Sequence, residues 1–336
     1  HAKVIHIDID PAEIGKIREA QVPIVGDLKG VVAGIVSTIE KEACTPRTEA
    51  WNAQIAEWRE RYPFYDAQIT ENPNEIVPEI AMQKLSAKLD PHNSVVVTEV
   101  GQHQMWAAQF IDREEPRSFI SSGGLGTMGF GFPASIGAAF GRPGAQVICI
   151  AGDGSFQMNS QEMATAAIHN VPVKVVILDN RALGMVHQWQ KLFYRERYSF
   201  TELDANPDFV KLADAYSWQA ERVTDPAKLD EAYERMLACD GPFLLDVAIS
   251  DQQNVFPMVA PGKAMSDVMG AIDVAVGAVR TDVPGEPAPV VREKSPCAKI
   301  DAQFGGRWEA DPEDKGPHQG EEPNGEGAAE EEGDVR

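Results

Sequence analysis

The sequence predicts an α/β fold built on a doubly wound, mostly parallel sheet, preceded by the remnant of a second α/β domain. Three observations carry this. Apolar runs at residues 146–151 and 173–178 are continuous rather than alternating, as in strands covered on both faces. Segments with helical spacing separate such runs, and strand–helix alternation is the pattern of parallel sheets. Glycines together with an acid or an amide punctuate the ends of the runs, where the loops of such a sheet turn.

In chain order, residues 3–9 alternate as a strand does, Pro11-Ala12-Glu13 reads as a helix start, and residues 22–25 form a short strand ending at Gly26-Asp27. Residues 28–40 look helical. Residues 1–40 are therefore read as the last piece of an α/β domain whose beginning is missing, because His1 opens inside a strand-like segment. Residues 41–75 are polar, carry Trp51 and Trp58 at helical spacing and end in prolines, which makes them a linker containing one helix. A second α/β domain is read over residues 76–265. It begins with helix 76–89, strand 94–98, the loop from Glu99 to His103, strand 118–121 and helix 133–140. Strand 146–151, helix 160–169, strand 173–178, helices 207–216 and 226–237, and strand 243–249 complete it. Residues 266–336 form an acidic tail rich in Gly and Pro. From residue 281 it holds 15 acidic and 6 basic side chains, too polar to offset the entropy of ordering, so disorder is expected there. A solubilising role is the simple reading of that tail, and binding of a basic partner is the alternative.

Composition bounds the function. At 336 residues with 43% hydrophobic content, the chain can bury a substantial core. A net charge of -22 excludes the basic footprint that nucleic-acid binding needs. No apolar run approaches the roughly 20 residues that span a bilayer, and no signal peptide opens the chain, so no membrane association is expected. Cys44, Cys149, Cys239 and Cys297 form no CxxC pair, which fits a reduced, cytoplasmic protein without structural zinc.

The most informative residues lie at two strand ends. Asp153, in Gly152-Asp153-Gly154-Ser155, closes one apolar run, and Asn180 closes the next, 27 residues later. A carboxylate and an amide thus emerge side by side at the carboxyl ends of neighbouring strands, where open α/β sheets bind ligands. Two hard oxygen donors beside flexible backbone suit a magnesium ion holding a diphosphate. A competing reading starts from Gly124-Leu125-Gly126-Thr127-Met128-Gly129, which matches GxGxxG, with Asp153 as the ribose-binding acid of a nicotinamide dehydrogenase. It leaves Asn180 unexplained and gives Asp153 a glycine-flanked turn that a ribose contact does not need.

These residues resemble a known family. GDGS at 152–155 followed by Asp179-Asn180 is similar to the diphosphate-and-magnesium motif of thiamine-diphosphate enzymes. Five strings narrow the resemblance to the large catalytic subunit of acetolactate synthase (acetohydroxyacid synthase), over roughly residues 1–265. They are VGQHQMWAAQ at 100–109, SGGLGTMGFGFPA at 122–134, LGMVHQWQ at 183–190, NPDFVKLA at 206–213 and VFPMVAPG at 255–262.

The resemblance implies the thiamine-diphosphate-binding fold and a set of roles. Asp153, the Asn180 side chain and the Ala182 carbonyl would bind magnesium. Gln102, His103, Gly154 and Ser155 would reach the diphosphate, with Val100 and Gly101 beside them. Met128 would be the strut that bends the cofactor, and the Gly126 backbone would meet its aminopyrimidine. Leu183, Gly184, Met185 and Val186 complete the cofactor positions, and Met185, Val186 and Trp189 would line the substrate channel. Asp8 and Asp27 match positions that contact FAD, in what would be the end of an FAD-binding middle domain. The implied reaction joins two 2-keto acids with loss of carbon dioxide, giving acetolactate or acetohydroxybutyrate in branched-chain amino-acid biosynthesis. Implied partners are further copies of the full-length catalytic subunit, as a homodimer or homotetramer, and a small regulatory subunit. No catalytic residue is expected in this chain, because the activating glutamate of the family belongs to an N-terminal domain, and a fragment alone is expected to be inactive. Asp179 stands where the family usually has Asn, a departure expected to shift local charge and turn hydrogen bonds. Two further readings stay open: another FAD-containing thiamine-diphosphate carboligase or oxidase, and a non-catalytic cofactor-binding module.

Overall fold

The structure, a computed structural model, describes residues 3–43, 48–62 and 72–270, with 272–273 and 278–279 in backbone only. The acidic stretch from residue 281, Cys44 and Cys297 lie outside the described residues. Strands β1 (Ile5–Asp8) and β2 (Val22–Val25) pair in parallel and lead into helix α1 (Leu28–Lys41). Between the strands no helix forms at Pro11-Ala12-Glu13. Residues 11–15 are turns, because the Asp8 and Asp10 carboxylates accept from Asp10 N and Ala12 N at 2.8 Å each and draw the backbone away from helix. Helix α2 (Glu49–Arg61) carries Trp51 edge-on against Trp58, with ring centres 5.4 Å apart.

The main sheet follows. Helix α3 (Pro78–Lys88), β3 (Ser94–Thr98), α4 (Gln102–Phe110), β4 (Phe119–Ser121) and α5 (Gly131–Gly141) form its first half. The second half holds β5 (Gln146–Gly152), the single turn α6 (Asp153–Phe156), α7 (Met163–Ile168), β6 (Lys174–Asp179), α8 (Gly184–Phe193) and α9 (Phe209–Ala215). It ends with β7 (Gln219–Val223), α10 (Leu229–Ala238) and β8 (Phe243–Ala248). The six strands run in parallel in the order β4-β3-β5-β6-β8-β7.

Alternate strand residues feed two separate cores, which makes the sheet doubly wound. Val96, Ile148, Ile150, Val176 and Leu245 pack against α3, α4 and α10. Val95, Val97, Cys149, Val175 and Leu244 pack against α5, α7 and α9. Every residue of β3 and β6 is buried, as their continuous apolar runs require. The folded chain continues past residue 265, since β9 (Met258–Val259) pairs antiparallel with β10 (Val268–Met269) and Met269 is buried. Among the described residues no helix is long and apolar enough to cross a membrane.

Candidate cofactor and metal site

The strand order reverses between β3 and β5: the chain leaves β3 toward β4 and returns on the other side as β5. At that point the loops beyond the carboxyl ends diverge and open a crevice. The loops after β3, β5 and β6 line it with Val100, Gly101, Gln102 and His103, then Asp153, Gly154 and Ser155, then Asn180 and residues Ala182 through Val186. Met128 closes it from the α5 side. The cleft, with the part open to solvent included, has a volume of about 500 Å³. Helices α4 and α8 both start at its wall, so unpaired backbone N–H groups face it, as anion binding favours.

Asp153 is 1% exposed. Its Oδ2 accepts from Asn206 Nδ2 at 2.6 Å. Burial pushes its carboxyl up to about 7, against the opposing pull of the Asn206 hydrogen bond. A carboxylate so poorly solvated gains from a cation. Asn180 is also buried. Its Nδ2 donates to Gln102 Oε1 at 3.3 Å, and its Oδ1 accepts from Ala182 N at 3.2 Å, leaving a second lone pair on that oxygen. Between Asn180 and Ala182, Arg181 adopts a left-handed φ of 55°, held by Asp179 Oδ1 accepting from its N–H at 3.1 Å. The turn is therefore strained, and it brings Ala182 to the cleft wall. One carboxylate, one amide oxygen and one backbone carbonyl are hard donors fitting magnesium, which keeps part of its shell for phosphate and water.

Asp179 reaches two ways from the end of β6, and its Oδ1 lies 3.4 Å from Asn206 Nδ2. Its Oδ2 pairs with Arg222 Nη1 at 2.7 Å, and the same nitrogen contacts Asp246 Oδ2. The charge that Asp brings where the resembled family has Asn is thus taken up by Arg222 on the edge strand β7. Burial still pushes Asp246 up to about 6, so the lone arginine only partly compensates the two acids.

The wall after β3 is built around glutamine and glycine. Gln102 Nε2 donates to Gln188 Oε1 at 2.8 Å and to the Gln253 carbonyl at 3.0 Å. Gln188 in turn clasps Val255 through both its N–H and its carbonyl. A side chain at Gly184 would fall on Gln102 Oε1 and within 2.7 Å of Asn180 Nδ2, so this position demands glycine. Gly101 has a φ of 154° and would press a Cβ to 2.8 Å from His103 Cε1. The His103 ring is buried, its Nε2 has no hydrogen-bond partner, and burial holds its pKa down to about 3. An unpartnered imidazole nitrogen beside the glycine turns is what a diphosphate oxygen or its water would satisfy.

Sequence reasoning placed Glu99 at the head of the loop after strand 94–98 and assigned it no role. It is fully buried and accepts from Gly129 N at 2.7 Å and Phe132 N at 2.8 Å, fixing the glycine-rich loop and the start of α5. Its position just past the Val95-Val96-Val97 run, at the end of a buried strand, was the available signal. That loop contains the GxGxxG string, yet only Met128 of it reaches the cleft. Gly126 lies behind, with its Cβ position 3.9 Å from Val100 Cγ1.

Met185 and Val186 also border a second, open depression of about 1050 Å³ with Trp189, Gln190, Tyr194 and Arg197. Trp189 is half-exposed there and sits edge-on to Phe193 at 5.8 Å. Asp8 and Asp27 belong to neither cleft. Asp8 is the last residue of β1, and Asp27 lies two residues past β2, where its Oδ1 accepts from Lys29 N and Gly30 N as the N-cap of α1.

With this geometry, comparison with known proteins is direct. Residues 99–247 match the thiamine pyrophosphate enzyme family's C-terminal TPP binding domain. The chain is 43% identical over 270 residues to the acetolactate synthase isozyme 2 large subunit of Escherichia coli (strain K12), covering 80% of this chain and 47% of that protein. It is 43% identical over 282 residues to a probable acetolactate synthase large subunit of Methanococcus aeolicus, covering 81% and 47%. The acetolactate synthase large subunit of Pyropia yezoensis is 43% identical over 274 residues, covering 80% and 45%. The chain spans about half the length of the curated relatives it matches.

Proposed function

The chain belongs to the thiamine pyrophosphate enzymes, as a homologue of acetolactate synthase large subunits, and from that premise we propose that it supplies the diphosphate-and-magnesium half of such a synthase's active site. The observation that carries this is the convergence of Asp153, Asn180 and Ala182 on one cleft with the unpartnered His103 nitrogen. In this reading Asp153, Asn180 and Ala182 hold magnesium. Gln102, His103, Gly154 and Ser155 receive the diphosphate. Met128 supports the cofactor from the α5 side. Met185, Val186 and Trp189 form an apolar approach for 2-keto acids.

Thiamine diphosphate would supply the carbanion chemistry, joining two pyruvates, or pyruvate and 2-ketobutyrate, with loss of carbon dioxide. The chain's own residues position it, exclude water along the Gln102–Gln188–Val255 clasp and offset its charge. Glu99 spends both carboxylate oxygens on backbone N–H groups, so the acid that activates the aminopyrimidine is proposed to come from outside the described residues. Asp8 and Asp27 are proposed to meet FAD, whose ribose hydroxyls suit strand-end acids. Assembly with further copies, and with a regulatory subunit, belongs to the same proposal. The test is calorimetric titration of the chain with thiamine diphosphate, with and without magnesium. Magnesium-dependent binding is expected, and its absence in the wild-type chain overturns the reading.

A further inference from the structure

The segment NPDF, which the proposed cofactor contacts do not use, delivers a polar side chain to the metal end of the cleft. Residues 201–206 run beside the Asn180 turn: Leu183 N donates to the Thr201 carbonyl and Leu203 N to the Arg181 carbonyl, each at 2.8 Å, and Ala182 bridges Glu202 antiparallel. Asn206 N then closes a turn onto the Leu203 carbonyl at 3.1 Å, which brings the Asn206 amide over Asp153. Its Nδ2 donates to Asp153 Oδ2 at 2.6 Å and lies 3.4 Å from Asp179 Oδ1. Its Oδ1 accepts from Gln157 Nε2 at 2.9 Å, and the same Nε2 donates to the Asp153 carbonyl at 3.1 Å.

This arrangement fixes which way the amide points. A flipped amide would set its carbonyl oxygen against one carboxylate and near another. Two acids from different strand ends therefore share one donor, and that donor is anchored from behind by Gln157. We propose that Asn206 is a positioning residue for the divalent cation. It locks the Asp153 carboxylate by one oxygen, so that the other is presented to the metal beside Asn180 and the Ala182 carbonyl. Partners that orient metal ligands in this way typically contribute 10- to 100-fold in metal affinity. The inference rests on the reading of the cleft as a thiamine-diphosphate and magnesium site.

The experiment is titration of magnesium into the chain at saturating thiamine diphosphate, for wild type, Asn206→Ala and Gln157→Ala, with the melting temperature of each ligand-free protein. Asn206→Ala is expected to raise the magnesium dissociation constant about 10- to 100-fold. Thiamine-diphosphate affinity should return toward wild type once magnesium saturates, because the diphosphate contacts remain. Gln157→Ala, which loosens the anchor only, should show a smaller rise in the same direction. A merely structural role predicts the opposite split: a lower melting temperature with magnesium affinity within twofold of wild type, and that result overturns the proposal. Should Asn206→Ala fail to fold, Gln157→Ala carries the decision on the same criterion. If wild type itself shows no magnesium-dependent binding, the reading of the cleft has failed, and the role of Asn206 falls with it.

Discussion

Two pairs of neighbouring parallel strands in this molecule carry polar groups at their carboxyl ends, and the surroundings of the two pairs differ sharply. After β5 and β6, Asp153 and Asn180 are 1% and 7% exposed, with side-chain partners, Asn206 and Gln102, from two separate segments. After β1 and β2, Asp8 and Asp27 bond only to backbone N–H groups two or three residues on, and α1 beside them buries no residue. A strand-end acid is legible in both. What separates them is whether the fold removes water from the acid and fixes its rotamer, because only then does a cation gain several kilocalories over solvation.

The largest effect should come from breaking the buried pair itself. Asp153→Ala is expected to abolish magnesium-dependent thiamine-diphosphate binding, since it removes the sole charged donor of the proposed set. Titration calorimetry decides this, and unchanged affinity would refute the ligand role.

Next comes the support behind the cleft. Glu99→Ala strands two buried N–H groups, Gly129 and Phe132, each costing about 1–3 kcal/mol when unsatisfied. A loss of about 3 kcal/mol is expected, a fall in melting temperature on the order of 6–12 °C for a domain of this size. A shift below about 2 °C would mean that the glycine-rich loop is held by something else.

The two regions also show what a sequence discloses. Strands β3, β5 and β6 were legible because burial on both faces demands continuous apolar runs, and Asp153 and Asn180 were legible because they end such runs. Edge strand β7 was not: Gln219-Ala-Glu-Arg-Val is polar, half its surface meets solvent, and the strand pairs only with β8. Arg222 on that strand, which pairs with Asp179, was hidden with it. Helix α8 carries no start signal in the sequence, because Gly184, a poor helix former, opens it where only glycine lets Gln102 approach. Asn206 lay in a recognised string, but its meeting with Asp153 depends on a backbone pairing between residues 181–183 and 201–203 that has no local signature.

His103 tests burial by pH. Its folded pKa of about 3 lies below the usual 6.5, so the ligand-free fold disfavours the proton. Its contribution to stability is therefore complete above pH 6.5 and is lost as pH falls toward 3. The slope is about 1.4 kcal/mol per pH unit within that window. His103→Gln cannot take up that proton, so the difference in unfolding free energy between wild type and variant should shrink by this slope from pH 6 to pH 4. Parallel curves would show that the imidazole is solvated.

The smallest effect belongs to the exposed pair. Asp27→Ala deletes the N-cap of α1, a change worth about 1 kcal/mol. Because α1 buries nothing, that cost should stay local. Amide hydrogen exchange across residues 28–41 should accelerate about fivefold, while magnesium and thiamine-diphosphate affinities remain at wild-type values. If Asp27→Ala weakened magnesium binding as Asp153→Ala does, the two strand-end sites would be energetically coupled, and burial could no longer be what distinguishes them.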